Sequence, residues 1–219
     1  MNFQKRLFAE ALGTCILIIA VIGSGIMATN LTDDVGLQLL ANAGATVGAL
    51  ISLILMFGPI SGAHFNPVVT MASCVFDKRP WKEVIPYTVC QAVGGTIGAV
   101  IANIMFDIAA FGPSTKIREG SGIWVSEVVA TVGLLLVIFL ISKGPRPESV
   151  PLAVGVWIGG AYWFTSSTSL ANPAVTFARM FSESFAGIAP ESVPMFVVMQ
   201  LVGFGIATGI LTYLVTSEN

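Results

Sequence analysis

The sequence predicts an all-α membrane protein, with six transmembrane helices and two re-entrant half-helices in an inverted repeat, forming one domain over residues 1–219. Three observations carry that prediction. Hydrophobic residues make up 55% of the chain and charged residues 10%, with mean hydropathy +0.86, a balance foreign to water-soluble domains. Two Asn-Pro steps, Asn66-Pro67 and Asn172-Pro173, stand 106 residues apart (66 against 172) in apolar surroundings. Several short motifs of the first half also return in the second.

Stretches of about 20 apolar residues mark the spans. They run Leu7–Thr29, Leu37–Phe57, Val84–Phe106, Ile123–Ile141, Val150–Phe164 and Val193–Val215. The first has no small-residue cleavage site before Asp33 and Asp34, so it reads as a retained span rather than a signal peptide. Two apolar pieces remain, Pro67–Phe76 and Pro173–Phe181, each too short to cross. Both follow an Asn-Pro step, which starts a helix: Asn caps orphan N–H groups and Pro fits the first helical position without losing a bond. Non-helical backbone at membrane depth is tolerated only where it lines a cavity or is buried in protein. Two such starts in matching places imply a pore.

The loop charges set the expected topology. Lys5, Arg6, Lys78, Arg79, Lys82, Lys143 and Arg146 fall on one side, against Lys116, Arg118 and Arg179 on the other. The first set should face the cytoplasm, with both termini. The repeat supports the same architecture. Ala9-Glu10-Ala11-Leu12-Gly13-Thr14 in the first span corresponds to Ser126-Glu127-Val128-Val129-Ala130-Thr131 in the fourth, and Gln91-Ala92-Val93-Gly94 to Gln200-Leu201-Val202-Gly203. With three spans per half, approximately 1–110 and 120–219, the second half enters the membrane inverted. The half-helices then meet tip to tip at the membrane centre.

Several function classes are disfavoured. A formal net charge of −2 without a basic tract argues against a nucleic-acid partner. Cys15, Cys74 and Cys90 lie in apolar segments without paired spacing, suggesting packing residues rather than a disulfide framework or a metal site. No nucleophile set, metal cluster or phosphate-binding loop stands out, so neither an enzyme nor a cofactor is expected. A proton-coupled secondary transporter remains a rival, because such proteins also use inverted repeats and broken helices, with Glu10 or Glu127 as candidate proton carriers.

The Glu-x-x-x-Thr pattern of spans one and four, Ser61-Gly62-Ala63-His64-Phe65-Asn66-Pro67 with Val68-Val69-Thr70, and Asn172-Pro173-Ala174 resemble the major intrinsic protein family, the aquaporins and aquaglyceroporins. The resemblance covers essentially the whole chain. It implies an hourglass monomer with its own pore, assembled as a homotetramer in a lipid bilayer. It also implies that Glu10 and Glu127 hold the re-entrant loops by accepting backbone N–H bonds, and that His64 is a pore-lining donor. The residues fit passive passage of small uncharged solutes. Two helix N-termini at the pore centre disfavour cations, and the Asn66 and Asn172 amides can donate to a hydroxyl. Carbonyls of Gly62, Ala63 and His64, and of Ser169, Leu170 and Ala171, should line one wall with Val69, facing an apolar wall.

The departures from the family pattern are informative. Most members place Arg directly after the second Asn-Pro-Ala; here that position is Val175. Counting without gaps, the other filter positions of the family fall on Thr46, Gly160 and Ser169. An outer filter of Thr, Gly, Ser and Val should be wide and uncharged, admitting water, glycerol and, by analogy with bacterial members of altered filter, neutral arsenic hydroxides such as arsenous acid. Arg179 lies one turn after Val175 and could lean back toward the mouth; the favoured expectation is that it snorkels outward near Glu183. A narrow water-selective pore is the alternative, requiring Arg179 or an aromatic such as Phe164 to close the mouth. Short tails and no targeting segment suggest a bacterial inner membrane.

Overall fold

The computed structural model describes residues 2–216 and, among them, contains eight α-helices and no strand. The chain runs α1 (Phe3–Leu31), α2 (Val35–Ser61), α3 (Pro67–Phe76), α4 (Val84–Met105), α5 (Ser121–Ser142), α6 (Val150–Phe164), α7 (Pro173–Arg179) and α8 (Val193–Thr216). Helices α1, α2, α4, α5 and α8 are long and apolar enough to cross a membrane, α4 and α8 together with the short turns that precede them. α6 has 15 residues and is extended by a 3-10 turn at Pro147–Ser149. α3 and α6 keep the expected limits and the other helices differ at one or both ends, α1 running Phe3–Leu31 against the expected Leu7–Thr29. α2 continues past Phe57 to Ser61, accommodating Pro59 in its last turn, and α7 ends at Arg179 rather than Phe181.

Each start has a local cause. Asp34 caps α2 by accepting from Leu37 N at 3.1 Å. Asn66 caps α3 through Val68 N at 3.0 Å, and Asn172 caps α7 through Ala174 N at 3.0 Å and Val175 N at 3.2 Å, with Pro at the first helical position each time. Caps of this kind contribute about 1 kcal/mol each.

The six long helices surround the two half-helices. α1 packs on α4 and α2, α5 packs on α8 and α6 in the same way, and α2 meets α6 across the halves. α7 lies against α4, α3 lies against α4 and α8, and α3 and α7 touch. Glycine sets the closest crossing: a Cβ on Gly94 would stand 2.0 Å from the Ala11 carbonyl oxygen, and one on Gly98 would stand 2.3 Å from that of Cys15. Removing the side chain lets α4 rest on the α1 backbone, as small residues do where helices pack in lipid. The outer face is apolar: Ile85, Val89, Val93, Ile97, Ile101 and Ile104 form an exposed stripe along α4, as a lipid-facing helix requires.

Candidate functional site

Between α2 and α3, and again between α6 and α7, the chain is non-helical and follows an unusual path. Gly62, Ala63 and Phe65 have φ of 98°, 50° and 48°, and Thr168, Ser169 and Ala171 have φ of 62°, 53° and 47°. Left-handed backbone costs a non-glycine residue about 1–2 kcal/mol, so something must hold these loops. Two buried carboxylates do. Glu10 accepts from Ser61 Oγ at 2.6 Å, His64 N at 3.0 Å, Phe65 N at 2.7 Å and Gln91 Nε2 at 2.8 Å. Glu127 accepts from Ser167 Oγ at 2.6 Å, Leu170 N and Ala171 N at 2.9 Å, and Gln200 Nε2 at 2.6 Å. Fully engaged acceptors make such burial tolerable for a carboxylate.

The two loops also lock one another. Asn66 Nδ2 donates to the Ala171 carbonyl at 2.8 Å, and Asn172 Nδ2 donates to the Phe65 carbonyl at 2.7 Å. Each amide nitrogen carries two N–H groups, so one per Asn is left for the cavity that both residues line. That cavity, of about 710 Å³, extends from Asp77, Arg79 and Lys143 at one end to Thr46, Tyr162 and Arg179 at the other. Gly62, Ala63, His64, Ser169 and Leu170 line it, while Leu50, Ile54, Leu134, Ile138, Val154 and Ile158 contribute apolar surface. Ala171 is buried outside the lining, with its carbonyl taken by Asn66. The His64 ring is 3.0 Å from Thr70 Oγ1 through Nδ1 and packs on Tyr87.

The Arg179 end differs from the sequence expectation at three positions. Thr46, Ser169 and Val175 are buried and line the cavity, but Gly160 is exposed and outside it. Tyr162, two residues on, lines the cavity instead and is 3.2 Å from Thr46 Oγ1 through its hydroxyl. Two residues rotate a helix by about 200°, so an ungapped count that slips by two selects the opposite face. For the same reason Phe164 points away, 56% exposed and against Trp157. Arg179 does not snorkel toward Glu183. It is 2% exposed, donates through Nε to the Ala186 carbonyl and lines the cavity, while the Glu183 carboxylate is taken up by Thr115 N and Oγ1. The mouth is therefore charged. Tyr162 was accessible to sequence reasoning: with Val150, Val154 and Ile158 it completes an i, i+4 stripe on α6 that faces the cavity.

At the opposite end, Arg79 Nη2 and the Tyr87 hydroxyl donate to the Ser61 carbonyl at 3.1 and 3.0 Å. Glu83 joins Arg79 to Arg6. Lys143 approaches Asp77 at 3.6 Å.

A membrane-embedded bundle with paired half-helices capped by Asn, set along a cavity with one polar and one apolar side, defines a channel rather than an enzyme. The sequence pattern of the major intrinsic protein family matches residues 1–171, and the chain belongs to that family of membrane channels. It is 43% identical over 213 residues to the aquaglyceroporin AqpS of Rhizobium meliloti strain 1021, covering 97% of this chain and 91% of that protein. It is 28% identical over 246 residues to the aquaporin AqpM of Methanothermobacter marburgensis, covering 100% of both. The X-ray structure of the aquaglyceroporin from Plasmodium falciparum superposes with TM-score 0.73 over 96% of each chain at 19% identity, a likeness of fold.

Proposed function

We propose that this chain is a passive channel for water and glycerol, with arsenous acid a further candidate solute. The observation that carries the reading is the cavity of about 710 Å³ lined by both Asn66 and Asn172. Half-positive helix ends and free amide N–H groups at its waist suit a neutral hydroxyl-bearing solute and penalise a cation. The carbonyls of Gly62, Ala63, His64, Ser169 and Leu170 form the polar track beside Val69, with Glu10 and Glu127 holding it in place. The outer filter consists of Thr46, Tyr162, Ser169, Val175 and Arg179. Likeness to AqpS, an aquaglyceroporin by name, supports the glycerol reading. Transport needs no energy source, and the carboxylates that a proton-coupled transporter would use are engaged by four donors each.

The chain functions as one domain built of two repeats, assembled as a homotetramer in a bacterial inner membrane. Both termini face the cytoplasm, although residues 1 and 217–219 lie outside the described part. A second reading, a water-selective pore, is favoured by Arg179 and Tyr162 at the mouth. Light scattering from reconstituted liposomes after a hyperosmotic glycerol jump separates the two. Glycerol passage gives fast shrinking and then reswelling faster than empty liposomes; a water-selective pore gives fast shrinking with reswelling at the control rate.

A further inference from the structure

Beyond the mouth lies a second cavity of about 200 Å³, lined by Val35, Leu39, Asn42, Thr168 and Phe185 together with Lys116, Arg118 and Arg179. Arg179 also lines the larger cavity, so the two share that residue. The three cations are held in an orderly way. Lys116 Nζ donates to the Phe185 carbonyl at 2.8 Å, Arg179 Nε to that of Ala186, and Arg118 Nε to that of Gly187 at 2.9 Å, three consecutive residues. Arg118 Nη1 also reaches the Ser167 carbonyl at 3.4 Å.

Carbonyls fix these side chains but do not neutralise them. Among the described residues the ion pairs are Arg6–Glu83, Arg79–Glu83 and Lys143–Asp77, so none of the three cations has a carboxylate partner. None of Asp33, Asp34, Glu119, Glu127 and Glu183 lines the cavity. Asp34 caps α2, Glu127 holds the second loop and Glu183 binds Thr115. Counting donors by residue type, two ammonium N–H groups of Lys116, three guanidinium N–H groups of Arg118 and four of Arg179 have no protein acceptor among the described residues. Arg179 is buried as a residue, but its unpaired Nη groups stay open to the cavities it lines and are available to an incoming anion. At about 200 Å³ the cavity is several times the ~30 Å³ share of one water.

We propose that this outer cavity is a binding site for a small oxyanion, gripped by Lys116, Arg118 and Arg179, and that its occupancy caps the pore and slows neutral solutes. Guanidinium forks match carboxylate, phosphate and sulfate oxygens in pairs. Three like charges around one small cavity repel each other until an anion enters, which makes the site selective for charge rather than for hydroxyl-rich solutes. Binding stands on this geometry alone; capping rests on the channel reading above.

Lys116 gives the site a pH dependence. Lys116 is exposed overall, but partial burial of its amine, reinforced by Arg118 and Arg179 and opposed by Glu183, pushes it down to about 8. Below that pH the ammonium is charged, and above it the charge is lost, so anion affinity declines as pH rises through 8.

Isothermal titration of the purified full chain with sodium sulfate, against sodium chloride at matched ionic strength, tests the site. Sulfate keeps its charge throughout pH 7–9. Sulfate should bind more tightly than chloride, Lys116→Gln should weaken it about five-fold, and the decline between pH 7 and pH 9 should vanish in that variant, while Lys116→Arg should hold its pH 7 affinity to higher pH. Identical sulfate and chloride isotherms, or a Lys116→Gln isotherm matching the parent, would overturn the proposal. In liposomes, external sulfate should slow glycerol reswelling at least about two-fold; binding without slowing overturns the capping step. Glycerol flux without sulfate binding leaves the channel reading standing and removes the site.

Discussion

The two halves of the molecule are alike in the middle and unlike at the ends. Glu10 and Glu127 each accept from one Ser, two backbone N–H groups and one Gln, and the Gln then reaches Thr70 in one half and Thr176 in the other. Asn66 and Asn172 exchange equivalent bonds with the opposite loop. Toward the ends the correspondence stops. The Ser61 carbonyl accepts from Arg79 and Tyr87, whereas that of Ser167 accepts from Arg118. His64 is polar and bonded, while its counterpart Leu170 is apolar. α3 runs 10 residues and α7 runs 7. The duplicated part holds strained backbone at the waist of the cavity, and the divergent part surrounds its two ends. Mechanics is conserved between the halves, and selectivity varies.

If that division is right, damage to the duplicated centre should be severe and equal in both halves. Glu10→Gln and Glu127→Gln each replace an acceptor of four donors by an amide that presents its own N–H groups to some of them. An unsatisfied buried donor costs about 1–3 kcal/mol, so each variant should lose about 3 kcal/mol or more and most of its glycerol flux. Thermal unfolding in detergent, followed by size-exclusion chromatography, measures it. If one variant folds and conducts like the parent while the other fails, the two carboxylates are not equivalent and the comparison breaks.

A finer test uses a pair that matches in sequence but not in spacing. Gly94 and Gly203 occupy equal places in Gln-x-x-Gly, yet a Cβ on Gly94 meets the Ala11 carbonyl oxygen at 2.0 Å, while one on Gly203 meets Thr131 Cβ at 2.8 Å and the Val128 carbonyl oxygen at 3.0 Å. Gly94→Ala should destabilise by about 1–3 kcal/mol through overpacking, and Gly203→Ala by clearly less. The same unfolding assay ranks them. Equal losses would mean that α5 and α8 cross as tightly as α1 and α4.

How much of this was legible in the sequence follows from how local each feature is. Both half-helix starts were, because Asn and Pro act on adjacent N–H groups; α3 and α6 have the predicted limits. The pairing of Glu10 with one loop was implied by the family resemblance, but Gln91 and Gln200 as partners of the acids required the fold, since they lie 81 and 73 residues away. The mouth was least legible. Gly160 against Tyr162 is a matter of helical phase, which a count of residues through an irregular loop does not preserve. Arg179 was expected to snorkel to the outer interface near Glu183; it is inside because the segment after α7 folds back and offers the Ala186 carbonyl.

The mouth supplies the last and smallest test, and it separates a symmetric source of charge from an asymmetric one. The half-helix N-termini are a matched pair at the waist, whereas Arg179 belongs to one half alone. Val175→Arg adds a second guanidinium beside Arg179 and should lower glycerol flux about ten-fold, a barrier of ~1.4 kcal/mol, with a smaller effect on water. Unchanged glycerol flux would place Val175 away from the narrowest point. Arg179→Gln removes the asymmetric charge and leaves the matched pair intact. If Arg179 excludes cations, this variant should let protons leak into vesicles under a potassium-driven voltage, read by an internal pH dye, with little change in glycerol flux. If the leak stays at the parental level, exclusion resides in the paired helix ends, and the field at the waist, not the mouth, keeps the channel neutral-selective.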